Sequence, residues 1–405
     1  MTAPAYMTAQ EAAAALEISL STLYAYVSRG LIRSEAMGKT RTRRYRSEDI
    51  RALQHRKEQR QNPSKVAEHA LRWGEPVLES AISLIADGQF YYRGQNASAL
   101  AATRTVEEVA WLIWTGNLCH PPAVSTDPDL SPSWQTVRHS ISHLSPFEAM
   151  QVLLPLAATE DWTAYDLRPT AVAHTGLRIL RLLAAIAVGQ PPSTQPIADV
   201  LQRGWTPAVP QAMTSLNTAL ILCADHELNI SSFTARCVAS AASTPYASVI
   251  AGLAALQGTK HGGHTARAEA LFNEVRTPQH ARTVLSQRLR RGEAIPGFGQ
   301  HLYPEGDPRG QRLLHLTAAM CPDAPTVALS QAICEAAHGL IGEYPNIDYG
   351  LVTLSLALDL PPSGALTLFA IGRAIGWIGQ AIEAYHDDQL IRPRARYVGL
   401  APDPS

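Results

Sequence analysis

Leu366–Ile382, "LTLFAIGRAIGWIGQAI", is the longest apolar stretch near the C-terminus, and Arg373 interrupts it at its middle. Charge at that depth is costly in lipid, so the stretch implies no membrane span. Apolar residues recur at helical spacing through most of the chain beyond Gly74, broken by Pro and Gly. That pattern predicts an almost entirely helical body, with no glycine-rich phosphate loop and no evident repeat. At 405 residues and 46% hydrophobic composition, the chain can bury a large core and fill two or three domains.

The opening "MTAPAYMTAQEAAAA" lacks the basic and apolar regions of an export signal. Five scattered cysteines, with no C-x-x-C pair, suggest neither a disulfide framework nor a zinc site. Both observations point to a cytoplasmic protein.

The net charge of −1 conceals an asymmetry. Within residues 1–65, twelve lysines and arginines oppose six acids, about +6, which leaves about −7 for the remainder. In this basic head, Thr8 and Glu11 have capping-box spacing and predict a short helix. Ser19 caps a second helix that sets Leu20, Leu23 and Val27 on one face and stops at Gly30. "GKTRTRRYRSEDI" then reads as a basic hairpin or wing leading to a third helix capped by Ser47. The head resembles the winged helix-turn-helix domain of MerR-type regulators and excisionases. That resemblance implies a second helix in the major groove and a wing on phosphate. Tyr24, Arg41, Arg43, Arg44 and Arg46 are the candidate contacts with duplex DNA; alternatively the arginines form a solvated face.

A polar segment around Pro63 marks a boundary, and Asp87–Gly88 predicts a hairpin turn before an amphipathic helix through Val106, Val109, Leu112 and Ile113. Four later segments carry more than a helical bundle needs: "ADHELNISSFTARCVAS", "GTKHGGHTARAEAL", "PGFGQHLYPEGDPRG" and "YPNIDYGLVTLSLAL", followed by "FAIGRAIGWIGQ" and "IRPRARYVG". Singly, Asp348 reads as a cap, His261 as a buried histidine, and His261 with His264 as a metal pair. No third ligand falls at a recognised metal spacing. In this order and spacing, the segments resemble citrate synthases and 2-methylcitrate synthases over essentially the whole body.

The resemblance implies a mainly α fold: a large domain from about residue 74 to 263 plus 371–405, and a small domain over 264–370. A winged domain over 1–62 and a linker over 63–73 precede them. It implies a homodimer, because the arginine matched by Arg392 reaches the neighbouring subunit's site. It implies no metal or cofactor beyond a CoA thioester as substrate. By motif, Asp348 matches the base that deprotonates an acyl-CoA and His261 the neutral donor that stabilises the enolate. His226, Arg309, Arg373 and Arg392 match the residues that hold a 2-keto dicarboxylate such as oxaloacetate, guanidinium forks suiting its carboxylates.

One position departs from the pattern. The family's second catalytic histidine stands nine residues before the arginine of "DPR", and here that residue is Gln300, with His301 one step later. A glutamine amide donates a hydrogen bond but cannot deliver a proton as imidazolium can. Adjacent side chains in an extended segment point to opposite faces, so His301 replaces Gln300 only if the loop bulges. The expected activity is Claisen condensation of acetyl-CoA or propionyl-CoA, then thioester hydrolysis. The competing expectation is a transcriptional regulator whose weakly active or inactive synthase-like body senses a ligand.

Overall fold

The computed structural model describes residues 6–16, 18–36, 43–47, 49–50, 53, 78–122 and 130–400. The chain divides into two compact units, Met1–Glu79 and Ser80–Ser405. Arg41 and the expected linker 63–73 lie outside the described residues.

In the head, β1 (Tyr6–Met7), α1 (Ala9–Leu16), α2 (Leu20–Ser28), β2 (Ser34–Ala36) and β3 (Arg43–Arg46) follow in order, and Ser47, Asp49, Ile50 and Leu53 are helical. The predicted capping box is present: the Thr8 N–H donates to Glu11 Oε2 at 2.8 Å and the Glu11 N–H to Thr8 Oγ1 at 3.3 Å. Ser19 accepts from the Thr22 N–H at 3.2 Å and starts α2. The wing is real, since β2 and β3 pair antiparallel; β1, not foreseen, adds to the other side of β3. Two details differ from expectation. Leu20 remains 41% exposed, because a core of Ala12, Ala13, Leu16, Leu23, Ile32, Tyr45 and Ile50 is too small to cover the first turn of α2. Ser47 is a buried residue of the third helix, not a residue ahead of it.

The body opens with the predicted hairpin: β4 (Ser83–Ala86) and β5 (Gln89–Tyr92) turn through Asp87 and Gly88, both at positive φ, and β6 (Gln95–Asn96) completes the sheet. Helices follow: α3 (Ala97–Thr103), α4 (Val106–Thr115), α5 (Pro132–Ser140), α6 (Pro146–Ala158), α7 (Pro169–Val188), α8 (Ile197–Trp205) and α9 (Ala212–Cys223). Then come α10 (Ile230–Ala239), α11 (Pro245–Leu256), α12 (Gly263–Val275), α13 (Ala281–Arg290), α14 (Pro308–Met320), α15 (Pro325–Ile341), α16 (Ile347–Ala357) and α17 (Gly364–Asp387). The α4 helix begins at a Thr105–Glu108 capping box and stops at left-handed Gly116.

By length and apolarity α7 and α17 alone qualify as candidate spans among the described residues, yet 72% and 94% of their apolar windows are buried inside the protein. They are core helices: α17 packs on α7, α9, α10 and α11. Close approach explains one of its glycines. A Cβ on Gly376 would stand 2.4 Å from the Ala224 carbonyl oxygen, so only glycine lets α17 press on the chain between α9 and His226. That contact seats Arg373 beneath the end of α9.

Candidate active site

Three stretches meet around Arg309 and Arg373. The first is the turn after α9. Asp225 is fully buried, accepts from the Ser83 hydroxyl at 2.6 Å, and burial pushes its carboxyl up to about 6 against the pull of Arg373. His226 follows, its Nε2 3.0 Å from the Tyr303 hydroxyl. Desolvation, with the charges of Arg309 and Arg373, holds its pKa well below the ordinary value, so the imidazole is neutral.

The second stretch is the turn between α11 and α12, where the His261 N–H donates to the Gly258 carbonyl at 2.9 Å. His261 Nε2 lies 2.8 Å from the Ser231 hydroxyl at the start of α10, and its ring meets Phe369 edge-on. Burial first, then Arg373 and His264, depress its pKa to about 4. It is a neutral imidazole at neutral pH. His264 turns instead to Arg267, with Nδ1 2.9 Å from the guanidinium, and no metal-binding cluster occurs among the described residues.

The third stretch runs from Pro296 to Asp348. The Asn346 N–H donates to the Gly297 carbonyl and the Gly299 N–H to the Tyr344 carbonyl, both at 2.9 Å, which straps this loop to the start of α16. Asp307 then does three things: it caps α14, accepts two hydrogen bonds from the Arg309 guanidinium at 2.9 and 2.8 Å, and accepts the Ile347 N–H at 3.1 Å. One buried carboxylate thus ties the arginine of α14 to the helix start that carries Asp348. A Cβ on Gly310 would lie 2.4 Å from the Asn346 carbonyl oxygen, so the two helix ends touch backbone to backbone. Burial opposes the charge on Arg309, but Asp307 outweighs it and raises the guanidinium pKa.

Asp348 is half-buried in the first turn of α16. Desolvation pushes its carboxyl up to about 6, against Arg309, with Asp307 adding to the rise. Arg373 is 1% exposed, donates from Nε to the Cys223 carbonyl at 2.7 Å, and stands 4.8 Å from the centre of the Phe369 ring. Burial lowers its pKa against Asp225, and its Nη1 is buried with no hydrogen-bond partner among the described residues. A buried unsatisfied cationic N–H asks for an anion.

Gln300 is half-buried and its Oε1 accepts the Leu302 N–H at 3.4 Å, whereas His301 is exposed. Arg392 lies exposed in the extended segment beyond α17, where the adjacent Ile391 N–H donates to Ser240 at 3.1 Å. Sequence reading missed Ser231, Tyr303 and Asp307. Each stood inside a quoted motif, but only Asp307 carried a local signal, two residues before its partner Arg309; Ser231 and Tyr303 pair with histidines thirty and seventy-seven positions away.

Residues 70–394 match the model of the citrate synthase C-terminal domain, and residues 6–58 match a helix-turn-helix domain. The chain belongs to the citrate synthase family, with a helix-turn-helix domain ahead of the synthase body. It is 30% identical to a citrate synthase of Haloferax volcanii and 26% identical to citrate synthase 2 of Bacillus subtilis, each match covering 80% of this chain and 94% of the relative. It is also 26% identical to 2-methylcitrate synthase 2 of Corynebacterium glutamicum, over 76% of this chain and 88% of that one. The fold matches citrate synthase of Pyrobaculum aerophilum with a TM-score of 0.70 at 24% identity, covering 82% and 92% of the two chains. It matches the Thermoplasma acidophilum enzyme, solved with carboxymethyl coenzyme A and oxaloacetate, with a TM-score of 0.67 at 24% identity, covering 82% and 96%. Citrate synthases need no cofactor beyond the CoA substrate.

Proposed function

We propose that the body condenses a short acyl-CoA, acetyl-CoA or propionyl-CoA, with oxaloacetate or a related 2-keto dicarboxylate, and then hydrolyses the thioester. The observation that carries this reading is the set of half-buried titratable groups around buried Arg373. Its charge acts on neutral His226, neutral His261 and raised Asp348, while its Nη1 awaits an anion. Asp348 takes the proton alpha to the thioester, a task for a carboxylate whose pKa lies near working pH. His261 donates to the developing enolate oxygen. When the Ser231 hydroxyl donates to Nε2, the ring proton sits on Nδ1, free for that oxygen. The enolate carbon then attacks the keto carbon, with Arg309, Arg373 and His226 holding the keto acid.

Burial favours Gln300 over His301 as the loop's side chain toward the substrate. Its amide N–H orients the keto oxygen but supplies no proton. We place the cleft between a large domain (74–263 and 371–405) and a small one (264–370). In a homodimer, Arg392 serves the site of the neighbouring subunit.

The head supports a second role. Its helix-turn-helix match and the 52% exposed Tyr24 on α2 favour duplex DNA as partner, with Arg43, Arg44 and Arg46 on phosphate and the body sensing a keto acid or CoA ester. Free-thiol release from purified protein with oxaloacetate and either acyl-CoA separates the readings. Turnover establishes the synthase; keto-acid binding without thiol release leaves the sensor.

A further inference from the structure

We propose that Tyr303 is the proton donor to the keto oxygen, its hydroxyl aligned by His226, in a loop whose glutamine cannot deliver a proton. This rests on the condensation reading above. Tyr303 is 2% exposed. Its N–H donates to the Gln300 carbonyl at 2.9 Å and its carbonyl accepts the Gly306 N–H at 3.0 Å, a turn that buries the Tyr303 ring while His301 stays exposed. The hydroxyl lies 3.0 Å from His226 Nε2, with the two rings tilted by 54°, and the Arg309 guanidinium carbon lies 5.5 Å from the phenol centroid.

A neutral His226 with its proton on Nε2 donates to the phenol oxygen, which leaves the O–H hydrogen for a substrate oxygen. With Arg309 and Arg373 on the carboxylates, the keto oxygen then accepts from the Tyr303 hydroxyl, which His226 orients from behind. As the enolate carbon forms its bond to the keto carbon, the C=O π pair moves to oxygen, and that alkoxide takes the Tyr303 proton. The products of this step are the tertiary alcohol and a phenolate facing Arg309. Burial raises the phenol to about 12, with Arg309 opposing the rise, and an alkoxide is a stronger base than phenolate. The proton that Asp348 removed from the acyl group returns through solvent water to the phenolate, so the condensation is proton-neutral and both residues are reset.

The test uses the full chain, with oxaloacetate and acetyl-CoA or propionyl-CoA. Tyr303→Phe is expected to lower kcat about 100-fold or more, with the oxaloacetate Kd from calorimetry nearly unchanged, whereas Gln300→Ala loses about tenfold or less. Deuterium uptake from solvent into the acyl α-carbon, which needs only Asp348 and His261, should persist in Tyr303→Phe. Exchange of Tyr303 for 3-fluorotyrosine, which keeps the packing and makes the hydroxyl more acidic, should move the alkaline limb of kcat to lower pH. Wild-type turnover with an equally fast Tyr303→Phe, or an unmoved alkaline limb, overturns the donor role alone. A wild type that releases no thiol and exchanges no deuterium overturns the condensation reading, and the donor role with it.

Discussion

On the head's sheet, Arg44 and Arg46 sit 44% and 38% exposed, 3.0 and 3.3 Å from Glu35, which also accepts from Tyr6. In the body, Arg309 and Arg373 are each 1% exposed, one paired with a buried carboxylate and the other with an Nη1 that has no hydrogen-bond partner among the described residues. The same side chain meets two different physical situations. An exposed ion pair is screened by water and salt and is cheap to trade for another anion, as the DNA contact proposed for this surface requires. A buried guanidinium cannot be left unpaired without large cost, so its partners fix the geometry around it. The comparison separates a surface built for exchange from a site built for position.

The largest effect expected falls on the buried side. Asp348→Asn removes the proposed base while leaving Arg309, Arg373 and His226, so condensation should drop about 10²–10⁴-fold with keto-acid affinity nearly intact. In the wild type, a carboxyl raised to about 6 must be ionised to act, so kcat should fall as pH drops through that value; a flat profile across it removes Asp348 from the base role.

Next comes Asp307→Asn, which strands the Arg309 charge in the interior. Denaturant unfolding should show a loss of about 3–5 kcal/mol, the range for breaking one partner of a buried pair. A loss no larger than that of an exposed pair would erase the contrast between the two units.

On the exposed side, replacing Arg43, Arg44 and Arg46 by alanine should leave the synthase rate unchanged and weaken binding to duplex DNA. Each phosphate contact removed lowers the slope of log K against log salt by about 0.9. No retention on a genomic fragment library at low salt, even for wild type, would make the wing a solvated face. The smallest effect belongs to Glu35→Gln. Releasing Arg44 and Arg46 should tighten DNA binding slightly and steepen that slope by no more than about 0.9 per arginine freed, with thermal stability little changed.

Local signals were legible wherever the chain's own neighbours decide the outcome. The Thr8–Glu11 box, the Ser19 cap, the Asp87–Gly88 turn and the helix through Val106 all involve partners a few residues apart. Leu20 shares a helix face with Leu23 and Val27 yet stays 41% exposed, because helical spacing says which residues share a face, not how far a small core extends along it. Among site residues, Asp348, His261, His226, Arg309 and Arg373 stood in motifs whose order was visible. Their supports were not, because Ser231 reaches His261 across thirty positions and Tyr303 reaches His226 across seventy-seven.

The sequence by itself determined the helical body, the basic head, the residue types of the candidate site and the presence of glutamine, not histidine, nine residues before Arg309, since each is written in composition, periodicity or motif register. Only the tertiary structure decided what those groups are chemically. Desolvation makes His226 and His261 neutral and lifts Asp348 to about 6, Asp307 locks Arg309 to the start of α16, and the turn at Tyr303 sets a phenol against His226. The reason is that protonation state and hydrogen-bond direction depend on the dielectric and the charges within a few ångströms, and in this fold those neighbours come from distant parts of the chain.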